Sequence, residues 1–173
     1  MPEPACPPQG CAWQRLTWYL GSAAVVTALD FLTKRWVEAA LAPGRSVEVA
    51  PFFNLVLTYN PGAAFSLLAQ ASGWQRPFFI GVAAVAALVI LYLLRKHWRD
   101  TLFGVALSLI LGGALGNLWD RVVLGHVVDF LDFHAAGWHW PAFNLADSAI
   151  SVGAALLIWD GLRKPAKAVK GQV

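Results

Sequence analysis

Thr101-Leu-Phe-Gly-Val-Ala-Leu-Ser-Leu-Ile-Leu-Gly-Gly-Ala-Leu-Gly-Asn-Leu-Trp119 contains no charged residue, and neither does Pro77-Phe-Phe-Ile-Gly-Val-Ala-Ala-Val-Ala-Ala-Leu-Val-Ile-Leu-Tyr-Leu-Leu94. A helix of roughly 17 to 25 mostly apolar residues spans the hydrocarbon of a bilayer, so each stretch predicts one transmembrane helix. Two weaker segments qualify beside them: residues 16–32, interrupted only by Asp30, and residues 142–159, with Asp147 near the start. Composition agrees, since 58% of the 173 residues are hydrophobic and only 13% are charged, outside the range of a soluble domain. The expected fold is an all-α membrane protein, a four-transmembrane-helix bundle in one integral membrane domain covering residues 1–173. A Pro-rich cytoplasmic leader at 1–12 and a cytoplasmic tail at 165–173 flank the spans at 16–32, 77–94, 101–119 and 142–159.

Residues 16–32 also resemble the apolar core of a secretory signal. Asp30, Lys34 and Arg35 stand where its small-residue cleavage site would be, so the segment reads as a retained helix. Orientation follows from the basic residues. Arg15, Arg95, Lys96, Arg99, Arg163, Lys164, Lys167 and Lys170 fall on one side; Lys34, Arg35, Arg45, Arg76 and Arg121 fall on the other over longer loops. The positive-inside rule makes the first side cytoplasmic and places both termini there. Between the first two spans, residues 46–49 alternate polar and apolar, and Phe53, Leu55, Leu57 and Tyr59 fall on one face of a further strand. Asn60-Pro61-Gly62 supplies a turn leading into a short apolar stretch at 63–68. A small periplasmic β-sheet and an outer loop complete the expected architecture. In the third span Gly104, Ser108, Gly112 and Gly116 form a ladder of small residues that admits a neighbouring backbone.

Ionisable and amide groups at the edge of a span are costly, and here they gather at one end. Asp30, Asn117, Asp120, Arg121, Asn144 and Asp147 all sit at the outer ends of their helices, with Asp129 in the outer connection. Helical spacing puts Asn117 and Arg121 on one face, and Asn144 and Asp147 on another. Structural roles compete with functional ones: Asp30 four residues before Lys34 fits a helix-end ion pair, and Asp147 fits the positive end of a helix. Asp120 beside Arg121 reads as structural, and Asp132 as exposed.

Other chemistries find little footing. His134 and His139 lie in a Trp-rich loop without an H-E-x-x-H pattern, so no metal and no cofactor is expected. Ser72 and Ser148 lack an intramembrane Lys or a nearby His to take their protons. Cys6 and Cys11 in the leader carry no metal or disulfide-framework pattern and are given no role. The net charge of +3 comes without a nucleic-acid motif, so no nucleic-acid partner is implied. Carboxylate chemistry remains, in which two Asp divide base and acid work because their pKa values are pushed apart.

Five segments resemble one family, the lipoprotein signal peptidases, or signal peptidase II. They are Asp30-Phe-Leu-Thr-Lys34, Asn60-Pro-Gly-Ala-Ala-Phe65, Gly112-Gly-Ala-Leu-Gly-Asn-Leu-Trp-Asp-Arg121, Val127-Val-Asp-Phe130 and Phe143-Asn-Leu-Ala-Asp-Ser148, in family order. Trp119 departs from the aliphatic residue expected there. The resemblance implies an aspartic endopeptidase with catalytic Asp129 and Asp147, and a site lined or supported by Asn60, Gly62, Asn117, Arg121, Asn144, Asp30 and Lys34. It implies diacylglyceryl-prolipoprotein substrates, cut just before the lipidated lipobox Cys, and a monomer working among the lipids of a bacterial inner membrane. Without the resemblance, a small proton-coupled transporter would use such an Asp cluster almost as well. A transporter favours carboxylates near the midplane, whereas the inner halves of these four spans read as free of ionisable groups. A passive scaffold, the third reading, would tolerate replacement of either Asp.

Overall fold

The structure is a computed structural model that describes residues 8–62 and 74–163. Its order is α1 (Pro8–Ala40), β1 (Ser46–Ala50), β2 (Phe53–Asn60), α2 (Gln75–Lys96), α3 (Thr101–Val123), β3 (Val127–Ala135), β4 (Trp138–His139) and α4 (Leu145–Arg163). All four helices are long and apolar enough to cross a membrane. Most of their surface is apolar yet exposed, with Leu88, Val85, Ile158 and Trp18 each more than half accessible. In water that pattern would be untenable; against lipid it is the expected outer face.

Several expected bounds move. α1 begins at Pro8, so all of the leader that is described belongs to the first helix, and Cys11, given no role from sequence, is disulfide-bonded. α4 begins at Leu145 rather than 142, because Phe143 is bridged to Leu131 of β3 and the chain is still extended there. It also runs on past 159 and takes in Asp160, a buried carboxylate at the end that had read as free of ionisable groups. The apolar stretch at 63–68, Ser72 and the tail at 165–173 lie outside the described residues.

α3 is the central post, packed against α1, α2 and α4. Its small residues make this possible. A Cβ on Gly112 would lie 2.6 Å from the carbonyl oxygen of Ala23, and one on Gly116 would lie 2.5 Å from the Asp30 carboxylate, so α1 could not sit where it does against larger residues. Tyr19, Ala23, Ile90, Leu94, Leu107 and Leu111 fill the helical core.

The four strands form one antiparallel sheet in the order β1-β2-β3-β4 at the end of the bundle where α1 and α3 finish. A second apolar cluster, Val37, Leu57, Val128 and Phe130, ties this sheet to the end of α1. β2 departs from simple alternation. Leu55 pairs with Leu131, but the next pairs are Thr58 with Asp129 and Asn60 with Val127, so three steps along β2 match two along β3. This bulge reverses the face that later residues present. The expected single face of Phe53, Leu55, Leu57 and Tyr59 is therefore broken, and Asn60, not Tyr59, shares the side of Asp129.

Candidate active site

Asp129 stands on β3 and Asp147 in the first turn of α4, and one residue touches both. Asn144 precedes α4. Its Oδ1 accepts from the Asp147 main-chain N at 2.9 Å, while its own main-chain N donates to Asp147 Oδ2 at 3.3 Å. This reciprocal pair is a capping box, which satisfies amides that the helix start would otherwise leave bare. With its oxygen so engaged, the Asn144 Nδ2 turns the other way and donates to Asp129 Oδ1 at 2.7 Å. Asn144 is fully buried.

Each aspartate has a second amide partner. Asn117 Nδ2 donates to Asp147 Oδ1 at 2.8 Å, and Asn60 Nδ2 donates to Asp129 Oδ2 at 3.1 Å. The Asn60 oxygen accepts from the Gly62 main-chain N at 3.0 Å, which fixes the way this amide points. Arg121, one turn beyond Asn117, donates to the Asn117 carbonyl at 3.2 Å and to the Gly62 carbonyl at 3.0 Å, and lies over the Phe79 ring. It holds the turn after β2 against α3. A cleft of about 500 Å³ opens onto Asp129, Asp147, Asn60, Asn117 and Arg121, with Trp140 and Ile150 on its apolar wall.

Asp30 and Lys34 stand behind this cleft rather than in it. Lys34 Nζ is 2.7 Å from Asp30, 2.8 Å from Asp120 and 3.0 Å from Asn117 Oδ1, all of them buried. The other Asp30 oxygen accepts from the Ala146 main-chain N at 2.9 Å, a further amide of the α4 start. Asp120 also accepts from the Val128 main-chain N at 3.3 Å and so ties α3 to the strand that carries Asp129. Sequence reading gave Asp120 no place in the site, though Asp30, Lys34 and Asp120 are the charged groups that the bundle closes over. The Asn144-x-x-Asp147 capping pattern was a second available signal.

Asp132 corrects a further expectation. It is buried, accepting from Asn54 Nδ2 at 2.9 Å and paired with His139 at 2.9 Å. Burial pushes its carboxyl up, but the hydrogen bonds from Asn54 and His139 outweigh that and hold it below the usual range. Asp129 behaves oppositely. Burial, then the charge of Asp147, pushes it up to about 7, although Asn60 and Asn144 pull the other way. His134 stacks on His139, and among the described residues no three His, Cys, Asp or Glu side chains gather as a metal site would require. A buried carboxylate, Asp129, and a half-buried one, Asp147, held by neutral amides in one cleft are the equipment of aspartic hydrolysis.

The family described as "Signal peptidase (SPase) II" matches residues 22–163. The lipoprotein signal peptidase of Paraburkholderia phymatum is 58% identical over 146 residues, 84% of this chain and 88% of that protein. That of Paraburkholderia phytofirmans is 60% identical over 84% of this chain and 85% of its own length, and that of Janthinobacterium sp. is 57% identical over 86% and 90%. A bacterial membrane enzyme solved by the in meso method at 2.3 Å resolution superposes with a TM-score of 0.79, at 33% identity, over 91% of this chain and 94% of that one. This chain belongs to the signal peptidase II family: it is a multi-pass inner-membrane peptidase. The transporter reading finds no support in these relatives.

Proposed function

We propose that Asp129 and Asp147 are the catalytic pair with which this chain removes the signal peptide from diacylglyceryl-modified prolipoproteins, cutting just before the lipidated Cys. The observation that carries this reading is the single buried residue, Asn144, hydrogen-bonded to both carboxylates across two elements, to Asp129 through its side-chain Nδ2 and to Asp147 through its main-chain N. Held this way, the pair shares one proton: one member activates a water and the other protonates the carbonyl of the scissile bond. Asn60, Asn117 and Arg121 face the same cleft, with Gly62 held between Asn60 and Arg121, while Asp30 and Lys34 brace it from behind. The apolar helices on either side suit a substrate whose acyl chains stay in lipid while its polypeptide enters from one face.

Both termini are cytoplasmic in this reading. Arg15 donates to Thr101 Oγ1 at 2.8 Å, which places it beside Arg95, Lys96 and Arg99 at the end of the bundle opposite the sheet. The positive-inside rule then puts the sheet and the cleft on the periplasmic side. The test is cleavage of a purified prelipoprotein in detergent or lipid, with and without its diacylglyceryl group. Turnover of the lipidated form alone supports the reading. Equal turnover of both forms, or turnover by Asp129→Asn or Asp147→Asn, refutes it.

A further inference from the structure

We propose that the end of the bundle opposite the sheet holds one anionic phospholipid, its phosphate received by Arg95 in a hollow between the start of α1 and the end of α2, with Arg15 and Arg99 beside it. The leaflet of this lipid, the inner one, rests on the orientation argued above. The binding does not.

The hollow measures about 180 Å³ and is lined by Ala12, Trp13, Leu16, Arg95 and Trp98. A whole small-molecule ligand needs upwards of roughly 300 Å³, so the space suits a headgroup phosphate whose chains continue into lipid. The cations around it are placed by aromatic rings. Arg95 lies over Trp13 at 5.9 Å, Arg99 over Trp98 at 4.9 Å and Lys96 over Tyr92 at 5.7 Å. Arg15 is held by Thr101 Oγ1 at 2.8 Å and by the Arg99 carbonyl at 3.4 Å. A ring attracts a cation but gives it no oxygen, so the N–H donors of Arg95 and Arg99 stay available to an anion.

The other end of the bundle is different. There Lys34 lies between Asp30 and Asp120, Arg35 pairs with Glu38, and Arg76 and Arg121 donate to main-chain carbonyls. Among the described residues no carboxylate forms an ion pair with Arg15, Arg95, Lys96 or Arg99. Of the two acids at this end, Asp100 caps α3 by accepting from the Phe103 main-chain N at 3.4 Å, and Asp160 is buried on α4. The dipole of α2 favours Arg95 and Lys96 in its last turn, but it does not account for Arg15 and Arg99, which lie on α1 and in the α2–α3 turn. Four cations therefore converge without a counter-charge.

Depth decides which anion fits. The apolar run of α2 stops at Leu94, one residue before Arg95, so the hollow lies where hydrocarbon gives way to headgroups. Basic pockets between spans at this level bind phospholipid headgroups, and the guanidinium fork matches a phosphate in two-point contact. Such a lipid would also join α1 to α2, which otherwise meet mainly through α3.

The test uses the full chain, freed of lipid in a neutral detergent and titrated with phosphatidylglycerol. Native mass spectrometry reads the number bound and thermal unfolding reads the effect. One phosphatidylglycerol should bind saturably and raise Tm, whereas phosphatidylcholine with the same chains, and inorganic phosphate, should do neither. Arg95→Gln should weaken binding roughly fivefold, and Arg95→Gln with Arg99→Gln by an order of magnitude or more. Arg95→Lys should recover only part of the loss, since the charge returns without the fork. Arg45→Gln, an exposed cation at the sheet end, should bind as the wild type does. These side chains are exposed, so their replacement leaves the packed core intact. Equal effects of the two lipids, or an affinity unmoved by the double variant, overturn the site. Stabilisation by inorganic phosphate alone overturns the lipid as its occupant. Loss of cleavage in an Asp129 or Asp147 variant bears on the peptidase reading and leaves this result untouched.

Discussion

Replacing Lys34 by Met removes the one ammonium that sits between two buried carboxylates. Asp30 and Asp120 lie 2.7 and 2.8 Å from its Nζ, with the side chains of all three no more than 5% exposed. Methionine fills the same space but leaves two negative groups facing each other without solvent. Removing one partner of a buried ion pair costs roughly 3–5 kcal/mol, because the remaining charge stays desolvated. At about 4 kcal/mol the ratio of folded to unfolded protein falls nearly a thousandfold, which for a chain of this size lowers Tm on the order of 10 °C. Thermal unfolding in a mild detergent measures it. Arg35→Met supplies the contrast, since the Arg35–Glu38 pair at 3.1 Å has a half-exposed guanidinium and should shift Tm by no more than a few degrees. Adding Asp30→Asn to Lys34→Met should recover part of the loss by removing one of the stranded charges. If Lys34→Met melted within about 2 °C of the wild type, the buried triad would not be holding α1 to α3, and the argument for it would fail.

Asp129→Asn and Asp147→Asn should each abolish cleavage with the protein still inserted, whereas Asp132→Asn, whose partners are Asn54 and His139 outside the cleft, should stay active. Turnover should fall with a midpoint near pH 7 on the alkaline side, about tenfold per further pH unit, because the proton on Asp129 is lost as pH rises through that value. The same raised value destabilises the fold as pH climbs from 3.8 to about 7, by up to about 4 kcal/mol. Asp129→Asn should therefore melt higher than the wild type above pH 7, with the gap closing toward pH 4, and an equal Tm at all pH values would contradict it. Arg121→Lys should lose an order of magnitude in activity, since an ammonium cannot span both the Asn117 and Gly62 carbonyls as the planar fork does. Gly116→Leu should reduce the yield of folded protein rather than its specific activity per folded molecule, because its side chain would displace the Asp30 carboxylate.

The spans were legible because hydropathy reports the solvent, and lipid leaves an unbroken apolar record in 77–94 and 101–119. Their ends were not, because helix ends are settled by caps and pairings. Asn144 stops α4 at Leu145 through a capping box, and the Phe143 bridge to β3 keeps 142–144 extended, neither of which raises or lowers hydropathy. The gathering of Asp30, Asn117, Asn144 and Asp147 at one end was readable from cost alone, since polar groups at a span edge are kept for a reason. Asp132 was misread because its burial depends on Asn54 in a neighbouring strand. The face presented by Asn60 was hidden too, as alternation assumes a regular strand and the bulge in β2 is a property of its pairing with β3.

That bulge sets a rule for how the chain can vary in length. Side chains along a strand change sides at every step, so the irregularity between Leu55 and Thr58 works as a parity bit for everything that follows it. Deleting one residue there would leave two steps against two, so the ladder would become regular with Thr58 still opposite Asp129 and Asn60 still on its side. Deleting two would instead bring Tyr59 opposite Asp129 and send Asn60 to the other face, while every sequence motif stayed readable. This stretch should accordingly tolerate loss of the one extra residue and not of a second, whereas the β1–β2 turn, upstream of the count, is free to change by one.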